Sequence, residues 1–228
     1  MLILTPTPIT AAGPCWGKTK QPAITYAMRG ALAFELELTG LKQDLHSGVY
    51  GGAIPNPLHA LSGMLAALHD KHGRVSIPGF YDAVKQWDQA ERAYMKKVGS
   101  TDQQILQRSG AIRAAGEPGF TLYESTTIRP SLSINGIIGG YQGKGTKAVI
   151  PTKATAKISM RLVPNQDPKE IEAMFRQFIA HIKPPNMKLK ITKHMAAESV
   201  FIDRNHSVVQ AAVKAYQYGF GKKPVFFA

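Results

Sequence analysis

The sequence has only one cysteine, Cys15, among 228 residues. A single cysteine excludes an internal disulfide, and we therefore expect a protein of a reducing compartment such as the cytoplasm. Cys15 lies among proline and glycine residues with no general base beside it, so we assign it no catalytic role. The scarcity of cysteine excludes the disulfide-rich class of small secreted domains.

Long apolar runs are also missing. No stretch approaches the roughly 20 apolar residues that a membrane span requires. The run from Met1 to Leu4 is too short for the core of a signal peptide and has no basic residue before it. We expect neither a membrane protein nor an exported one.

Acidic residues are few, 15 against 28 lysines and arginines, which gives a net charge of +13. Such an excess makes nucleic acid a candidate partner, but the basic residues are spread along the chain and form no cluster. An RNA-binding sheet would also need exposed aromatic side chains that stack on bases, and the sequence has no such pair and no RNP1-like run. We interpret the charge as a solvated basic surface, and an acidic substrate or an acidic partner region stays open.

The sequence does contain segments that alternate apolar and polar residues, as half-buried strands do. The clearest are Ala31–Thr39 and residues 154–162, and shorter ones lie at Leu132–Ile134 and Met187–Ile191. Because each places its apolar residues on one side, the four together predict a sheet with one buried face.

Helical spacing fills the intervals between these strands. Asn56 is a candidate N-cap, with Pro57 at the first helical position, for a helix that ends near Gly73. A second amphipathic helix follows Asp167 and continues until Pro184. The order strand, helix, strand, strand, helix, strand predicts an α+β fold: a ferredoxin-like split βαβ unit with an antiparallel sheet and helices on one face.

The rest of the chain gives weaker patterns. Residues 80–115 predict a helical excursion, and Gly116–Ser125 predict a loop. Residues 1–28 carry little periodicity and predict a loop with one short strand at Leu2–Leu4. The strand-like run Pro224–Ala228 has no evident pairing partner in the sequence.

The segment Asp44–Gly52 combines an aspartate, a histidine, a serine and three glycines within nine residues. Glycines at this density let the backbone take positive φ and approach other groups closely. His46 in such a segment can bind a metal, exchange a proton or hydrogen-bond an anionic transition state. From this segment alone, an ordinary loop histidine remains the favoured alternative.

Arg161 falls on the polar face of the strand at residues 154–162. Its guanidinium could hold a carboxylate through two parallel hydrogen bonds, although a solvated strand arginine is the simpler interpretation of the residue alone. The glycine-rich stretch Gly136–Gly145 lacks the spacing of a phosphate-binding loop, and no helix follows it. It predicts a hairpin connection instead.

Three segments in order resemble the lid domain of M20-family metallopeptidases, the group that includes carnosinase-like dipeptidases. They are Asp44–Pro57 (DLHSGVYGGAIPNP), Arg129–Gly136 (RPSLSING) and Lys147–Gln166 (KAVIPTKATAKISMRLVPNQ). Matches in this order over more than a hundred residues are far more specific than a single short motif.

This resemblance implies a domain organisation. M20 enzymes have an α/β catalytic domain that binds two zinc ions, and a ferredoxin-like lid domain that is inserted in it and dimerises. Residues 29–195 would then be the lid and dimerisation domain. Residues 1–28 and 196–228 would be incomplete flanking pieces of the α/β catalytic domain. The resemblance thus implies a homodimer that forms through the lid.

The resemblance also implies roles for lid residues. His46 matches the histidine that reaches the partner's active site and stabilises the oxyanion of peptide hydrolysis in trans. Arg161 matches the arginine that holds the substrate carboxylate, and Asn135 lies in a matching substrate-binding segment. The family's threonine before Val-Ile-Pro is Ala148 here, which removes a hydroxyl that helps to hold substrate.

The metal ligands of the family lie in its catalytic segments, and we assign none to this chain. The family's Ser-Asp-Thr motif before a proline corresponds to Thr5-Pro6-Thr7-Pro8, which places Pro6 where a metal-binding aspartate is expected. Zinc is expected only in a full-length family enzyme.

Two functions follow as expectations. In the first, the chain is the lid portion of a zinc-dependent dipeptidase, supplies residues to a peptide-binding site in trans, and is inactive alone. In the second, it is a stand-alone dimerisation or interaction module without a catalytic role. Flanking coding sequence with a His-x-Asp motif and a Glu-Glu pair would favour the first.

Overall fold

The computed structural model describes residues 21–228, so the strand expected at Leu2–Leu4, Pro6 and Cys15 lie outside the described residues. The strands are β1 (Ala23–Thr25), β2 (Ala27–Met28), β3 (Gly30–Thr39), β4 (Leu45–His46), β5 (Ser131–Gly139), β6 (Val149–Ile150), β7 (Lys153–Leu162), β8 (Lys188–Ala197), β9 (Val200–Phe201) and β10 (Val225–Phe227). The helices are α1 (Ser47–Tyr50), α2 (Pro57–Ala66), α3 (Gln89–Val98), α4 (Asp102–Ser109), α5 (Leu122–Thr127), α6 (Pro168–Ile182) and α7 (Ser207–Phe220).

The chain divides into two compact units. The first contains the described residues up to Arg29 together with Gln86–Ile128 and Ser199–Ala228, and the second contains Gly30–Lys85 and Arg129–Glu198. The domain borders after residues 28 and 195 stay a prediction. The segment Gln86–Ile128 lies inside the predicted lid range but is assigned to the first unit.

The second unit is built on an antiparallel sheet in the order β5-β7-β3-β8. Helix α2 lies in the chain between β3 and β5, and α6 lies between β7 and β8. This topology confirms the predicted ferredoxin-like split βαβ fold.

The core of the second unit lies between one face of this sheet and the two helices. Alternate residues of β3 and β7 are buried there, and they pack against buried residues of α2 and α6. At the centre, the Phe34 and Phe175 rings stack with their centroids 4.7 Å apart. The other sheet face is polar and carries Glu35, Glu37 and Lys157. The predicted alternation is therefore confirmed in both long strands.

Helix α2 begins as expected and ends early. The Asn56 side chain accepts a hydrogen bond of 2.9 Å from the Leu58 N–H. The helix stops at Ala66 rather than near Gly73, because the next residues form a turn held by Asp70. The Asp70 carboxylate accepts the N–H groups of His72 and Arg74. The apolar spacing that continues to Leu68 reflects burial and not further helix.

The outer strands of the sheet differ in character. Strand β8 carries three lysines, whereas β5 has no charged residue. Strand β5 continues to Gly139, so the predicted turn from Gly136 was placed too early. The register of β5 shifts between Ile134 and Gly136, which leaves Asn135 in a β-bulge.

The first unit has its own small core of Tyr26, Met95 and Ile128. Strand β1 pairs in parallel with β10, and β2 pairs antiparallel with β9. The prediction of loop throughout residues 1–28 was therefore wrong for the strands after residue 22. The run Pro224–Ala228 also has a partner after all, because β1 lies beside it.

Two further predictions for the first unit need correction. Gly116–Ser125 contains the start of α5, whose N-cap Thr121 forms a capping box with Glu124. The helical excursion begins only at Gln89, and residues 80–88 form turns and irregular chain. Within residues 21–228, no helix is long and apolar enough to cross a bilayer.

Candidate functional site

His46 ends strand β4 and caps the N-terminus of the single-turn helix α1. Its Nδ1 accepts a hydrogen bond of 3.1 Å from the Gly48 N–H. A ring nitrogen that accepts this bond has no hydrogen, so the neutral imidazole carries its hydrogen on Nε2. The side chain is exposed. His46 can thus offer an Nε2–H donor to a group outside the loop.

The backbone around His46 is held by short pairings. Strand β4 pairs with β6, where His46 lies opposite Val149, and the Ser47 N–H donates to the Ala148 carbonyl at 3.2 Å. A Cβ at Gly51 would lie 2.4 Å from the Ser47 carbonyl oxygen, so this turn accepts only glycine. The predicted role of glycine in this segment therefore has a steric basis at Gly51.

Asp44 ties the same segment to the start of β7. Its Oδ1 accepts the Thr152 N–H at 2.7 Å and the Thr152 hydroxyl at 2.6 Å. The two hydrogen bonds from Thr152, together with the positive charge of Lys147, hold the pKa of the Asp44 carboxyl below its ordinary value. The sequence-based assignment did not include Asp44 and Thr152, although both lie inside the motif segments. The motifs indicate which residue types are present, but they do not show that Asp44 and Thr152, 108 positions apart, form hydrogen bonds.

Arg161 is the penultimate residue of β7, on the sheet face without helices. It is exposed, and it lies opposite Ser131 of β5 and Ala31 of β3. These neighbours have short side chains, so the guanidinium is open to a ligand from solvent. An exposed guanidinium can form two parallel hydrogen bonds to a carboxylate.

Asn135 lies in the bulge of β5, opposite the middle of β7. Its side chain is exposed. Bulges at sheet edges redirect a side chain and interrupt strand pairing. Asn135 is thus accessible at the edge of the sheet, separate from Arg161, which pairs four residues earlier on β5 at Ser131.

His46 lies beside the N-terminal end of β7, whereas Arg161 lies at the C-terminal end of the same strand. The His46 segment is bonded to Thr152, just before the first residue of β7, whereas Arg161 is next to its last residue. At about 3.3 Å per residue, the strand separates these ends by about 26 Å. The structure does not bring the two candidate residues of one chain together.

The described residues do not offer the ligand set of a zinc centre. Among residues 21–228, no three His, Cys, Asp or Glu side chains come together in a group that could hold a metal ion. Zinc in a peptidase needs several such ligands plus an open position for water. This part of the chain therefore does not fit a zinc pair by itself.

Comparisons with known proteins identify the family of this chain. The family model described as a peptidase dimerisation domain matches residues 26–187. The chain is 31% identical over 215 residues to the Cys-Gly metallodipeptidase dug1 of Schizosaccharomyces pombe, and the alignment covers 92% of this chain and 45% of the relative. It is 30% identical over 215 residues to the Beta-Ala-His dipeptidase of Mus musculus, across 92% of this chain and 43% of that one. The chain thus spans less than half the length of these relatives.

Solved structures give the same result. An M20 family metallo-carboxypeptidase from Sulfolobus solfataricus superposes with a TM-score of 0.81 at 28% identity, over 92% of this chain and 47% of that chain. Human carnosine dipeptidase 1 superposes with a TM-score of 0.76 at 27% identity, over 91% and 45%.

Proposed function

The chain belongs to the M20 peptidase dimerisation-domain family, and from that premise we propose that it is the dimerising lid of a zinc-dependent dipeptidase. In this role it binds the carboxylate of a peptide through Arg161 and supplies His46 to the active site of the partner subunit. The substrate is a dipeptide or short peptide. The single cysteine supports a reducing compartment such as the cytoplasm.

The observation that carries the proposal is the position of His46 and Arg161 at opposite ends of β7. An extended dipeptide spans about 7 Å, far less than the length of this strand. The two side chains of one subunit therefore cannot act on the same dipeptide. Their cooperation requires a second subunit that brings its own His46 to the Arg161 end.

Strand β5 is the edge that we assign to the dimer. It has no charged residue, and Ile137 and Ile138 are 49% and 59% exposed. An uncharged edge with exposed isoleucines is suited to pairing with another chain. Because the bulge at Asn135 interrupts the edge, the pairing uses Gly136–Gly139.

A two-fold axis at this edge also explains the trans arrangement. Two identical edges that pair about such an axis run antiparallel. Strand direction is then reversed in the partner, so the end of one sheet that carries Arg161 lies on the same side as the partner's His46. The dimer thereby combines candidate residues that each subunit keeps apart.

The hydrogen-bond donor groups of His46, Arg161 and Asn135 suggest a role for each side chain. The Nε2–H of His46 stabilises the oxyanion that develops during peptide hydrolysis, because a neutral donor aimed at new negative charge lowers the barrier. Arg161 holds the peptide carboxylate, and Asn135 contributes a further polar contact to substrate. Described residues provide no zinc ligand set, so metal chemistry would come from a catalytic domain.

A stand-alone dimerisation module is the second candidate. It is favoured by the lack of a metal-ligand group among residues 21–228 and by Ala148 in place of the family's threonine. The two candidates share the dimer and differ in whether His46 and Arg161 serve a reaction.

Mixed dimers test the trans role. In a full-length relative, a subunit with His46→Ala is mixed with a subunit with Arg161→Ala, each substitution at the equivalent position. Each pure variant should lose roughly a hundredfold or more in turnover or substrate binding. The heterodimer contains one site with both residues intact, so random mixing should restore about a quarter of wild-type activity. If both residues act within one subunit, mixing restores nothing, and the proposal fails.

A further inference from the structure

Thr152 connects separate segments of the second unit. Its carbonyl oxygen accepts the N–H groups of Gly40 at 3.2 Å and Leu41 at 3.4 Å, just beyond β3. Its own N–H and hydroxyl both donate to Asp44, two residues before His46. The carboxylate thus links the His46 segment to the point where β3 ends and β7 begins.

The His46 segment has little else to hold it. Strand β4 has two residues, and helix α1 has four residues with no buried side chain. A single turn of helix without packing is not stable by itself. Besides Asp44, the β4–β6 pairing and the Ser47–Ala148 hydrogen bond tie the segment to β6 and the residue before it, and the Gly48–His46 and Gly51–Ser47 hydrogen bonds lie within the segment itself.

We propose that Asp44 is the positioning residue of His46, and that its two hydrogen bonds to Thr152 keep β4 paired with β6 so that Nε2–H of His46 is presented outward in one orientation. The catalytic use of this His46 orientation rests on the proposed function. The stabilisation of the segment by Asp44 is a property of this chain alone. Because Asp44 is ionised at neutral pH, both hydrogen bonds are charge-assisted and stronger than neutral ones.

Amide hydrogen exchange of the present chain tests this directly. Asp44→Ala removes the acceptor and should speed exchange of the Ser47 and Gly48 amides about tenfold or more, with β3 and β7 protection unchanged. Asp44→Asn keeps an oxygen acceptor and should recover most of the protection. Thr152→Val removes only the hydroxyl and should give a smaller increase, which keeps the test available if Asp44→Ala does not fold.

Asp70→Ala is the matched control. Asp70 is an exposed carboxylate of the same unit and also accepts two hydrogen bonds, from the N–H groups of His72 and Arg74 at 2.8 and 2.9 Å. Its replacement should speed exchange at His72 and Arg74 and leave Ser47 and Gly48 unchanged. This separates the proposed hold on His46 from a general effect of losing a carboxylate.

The imidazole of His46 gives a second readout that a purely structural role would not move. Its ¹⁵N shifts should show Nδ1 as acceptor and Nε2 as protonated in the wild-type chain, and should move toward those of a free histidine in Asp44→Ala. Unchanged shifts and unchanged Ser47 exchange in Asp44→Ala would overturn the proposal, as would loss of protection throughout β3 and β7. None of these measurements requires catalysis or a dimer. A negative result would therefore refute the role of Asp44 without refuting the proposed function.

Discussion

Arg92 binds Glu124 through two of its nitrogens, Nε at 2.6 Å and Nη2 at 3.1 Å. The Glu124 side chain is 3% exposed, and the N–H of Thr121 also donates to it at 2.7 Å. Burial alone would raise the pKa of Glu124, but the hydrogen bonds from Arg92 and Thr121 outweigh it and hold the pKa below its ordinary value. This pair connects α3 with α5 inside the first unit.

Stability should therefore depend on pH through Glu124. A carboxyl whose pKa is lower in the folded than in the unfolded protein stabilises the fold above its unfolded pKa, and this contribution is lost as pH falls through the folded pKa. Glu124→Gln should cost about 1–2 kcal/mol of unfolding free energy at pH 7, a modest value because Arg92 is partly exposed. Urea unfolding from pH 7 to pH 3 should show this difference shrink below the ordinary pKa of 4.5.

Glu37→Gln is the control, since Glu37 is paired with Lys153 on the exposed sheet face. The hydrogen bond from Lys153 also holds the pKa of Glu37 below its ordinary value, but solvent screens this pair, so the loss of unfolding free energy and its dependence on pH should both be clearly smaller than for Glu124→Gln. A difference between Glu124→Gln and wild type that does not vary with pH would contradict the assignment.

The proposed dimer through β5 predicts which substitution separates the subunits. Ile137→Asp places a charge on the exposed part of β5 beyond the bulge and should shift sedimentation from dimer to monomer at micromolar concentration. Met195→Asp is the matched change on the opposite edge strand, where Met195 is 47% exposed, and should leave the dimer intact. A wild-type chain that sediments as a monomer at high micromolar concentration would refute the dimer itself.

The stacked ring pair predicts the largest single loss in the core. Phe175 is fully buried against Phe34, so Phe175→Ala should cost about 3–5 kcal/mol through lost contacts and the cavity left behind. Phe178→Ala, three residues along the same helix and only partly buried, should cost clearly less. Urea denaturation at pH 7 measures both, and equal losses would contradict the packing described for α6.

Metal analysis provides a prediction about activity. The purified chain should bind no stoichiometric zinc and hydrolyse no dipeptide, because zinc catalysis requires several fixed ligands and an open position. Elemental analysis after dialysis measures bound zinc, and a dipeptidase assay with added zinc measures hydrolysis. Stoichiometric zinc together with activity that a chelator removes would refute the assignment of an incomplete site.

The long strands could be predicted because their apolar and polar residues alternate in the same way as their buried and exposed positions. Leu32, Phe34, Leu36 and Leu38 are buried and the residues between them are less so, which is the pattern that the sequence displays. Since β3 and β7 alternate over nearly their whole length, the sheet and its fold could be predicted from local pattern and chain order.

The short elements could not be predicted in this way. Strand β1 has three residues, too few to show alternation, and its partner β10 lies about two hundred residues later. Helix α5 has six residues, fewer than two turns, although Thr121 and Glu124 together form the capping-box signal that could have revealed it. Elements of this size are fixed by tertiary pairing, which a single sequence does not record.

The candidate site shows the same limit. His46 and Arg161 were identified from motifs, but their separation along β7 depends on the sheet register. Asp44 was not singled out, because its importance lies in its hydrogen bonds to Thr152, distant in sequence. The sequence therefore indicated which residue types matter, and the structure showed which of them meet.

If the chain dimerises through β5 as proposed, the contrast between β5 and β8 limits how far it can assemble. If two sheets join through β5, both outer borders of the resulting eight-stranded sheet are β8 strands, which carry the lysines Lys188 and Lys190 besides Lys193, whose charge is paired with Glu172. Like charges repel any third sheet that approaches these borders, so growth into a fibre is opposed at both ends. A sheet that has one edge suited to pairing and one edge that repels its own copies would therefore form a closed dimer and no larger assembly.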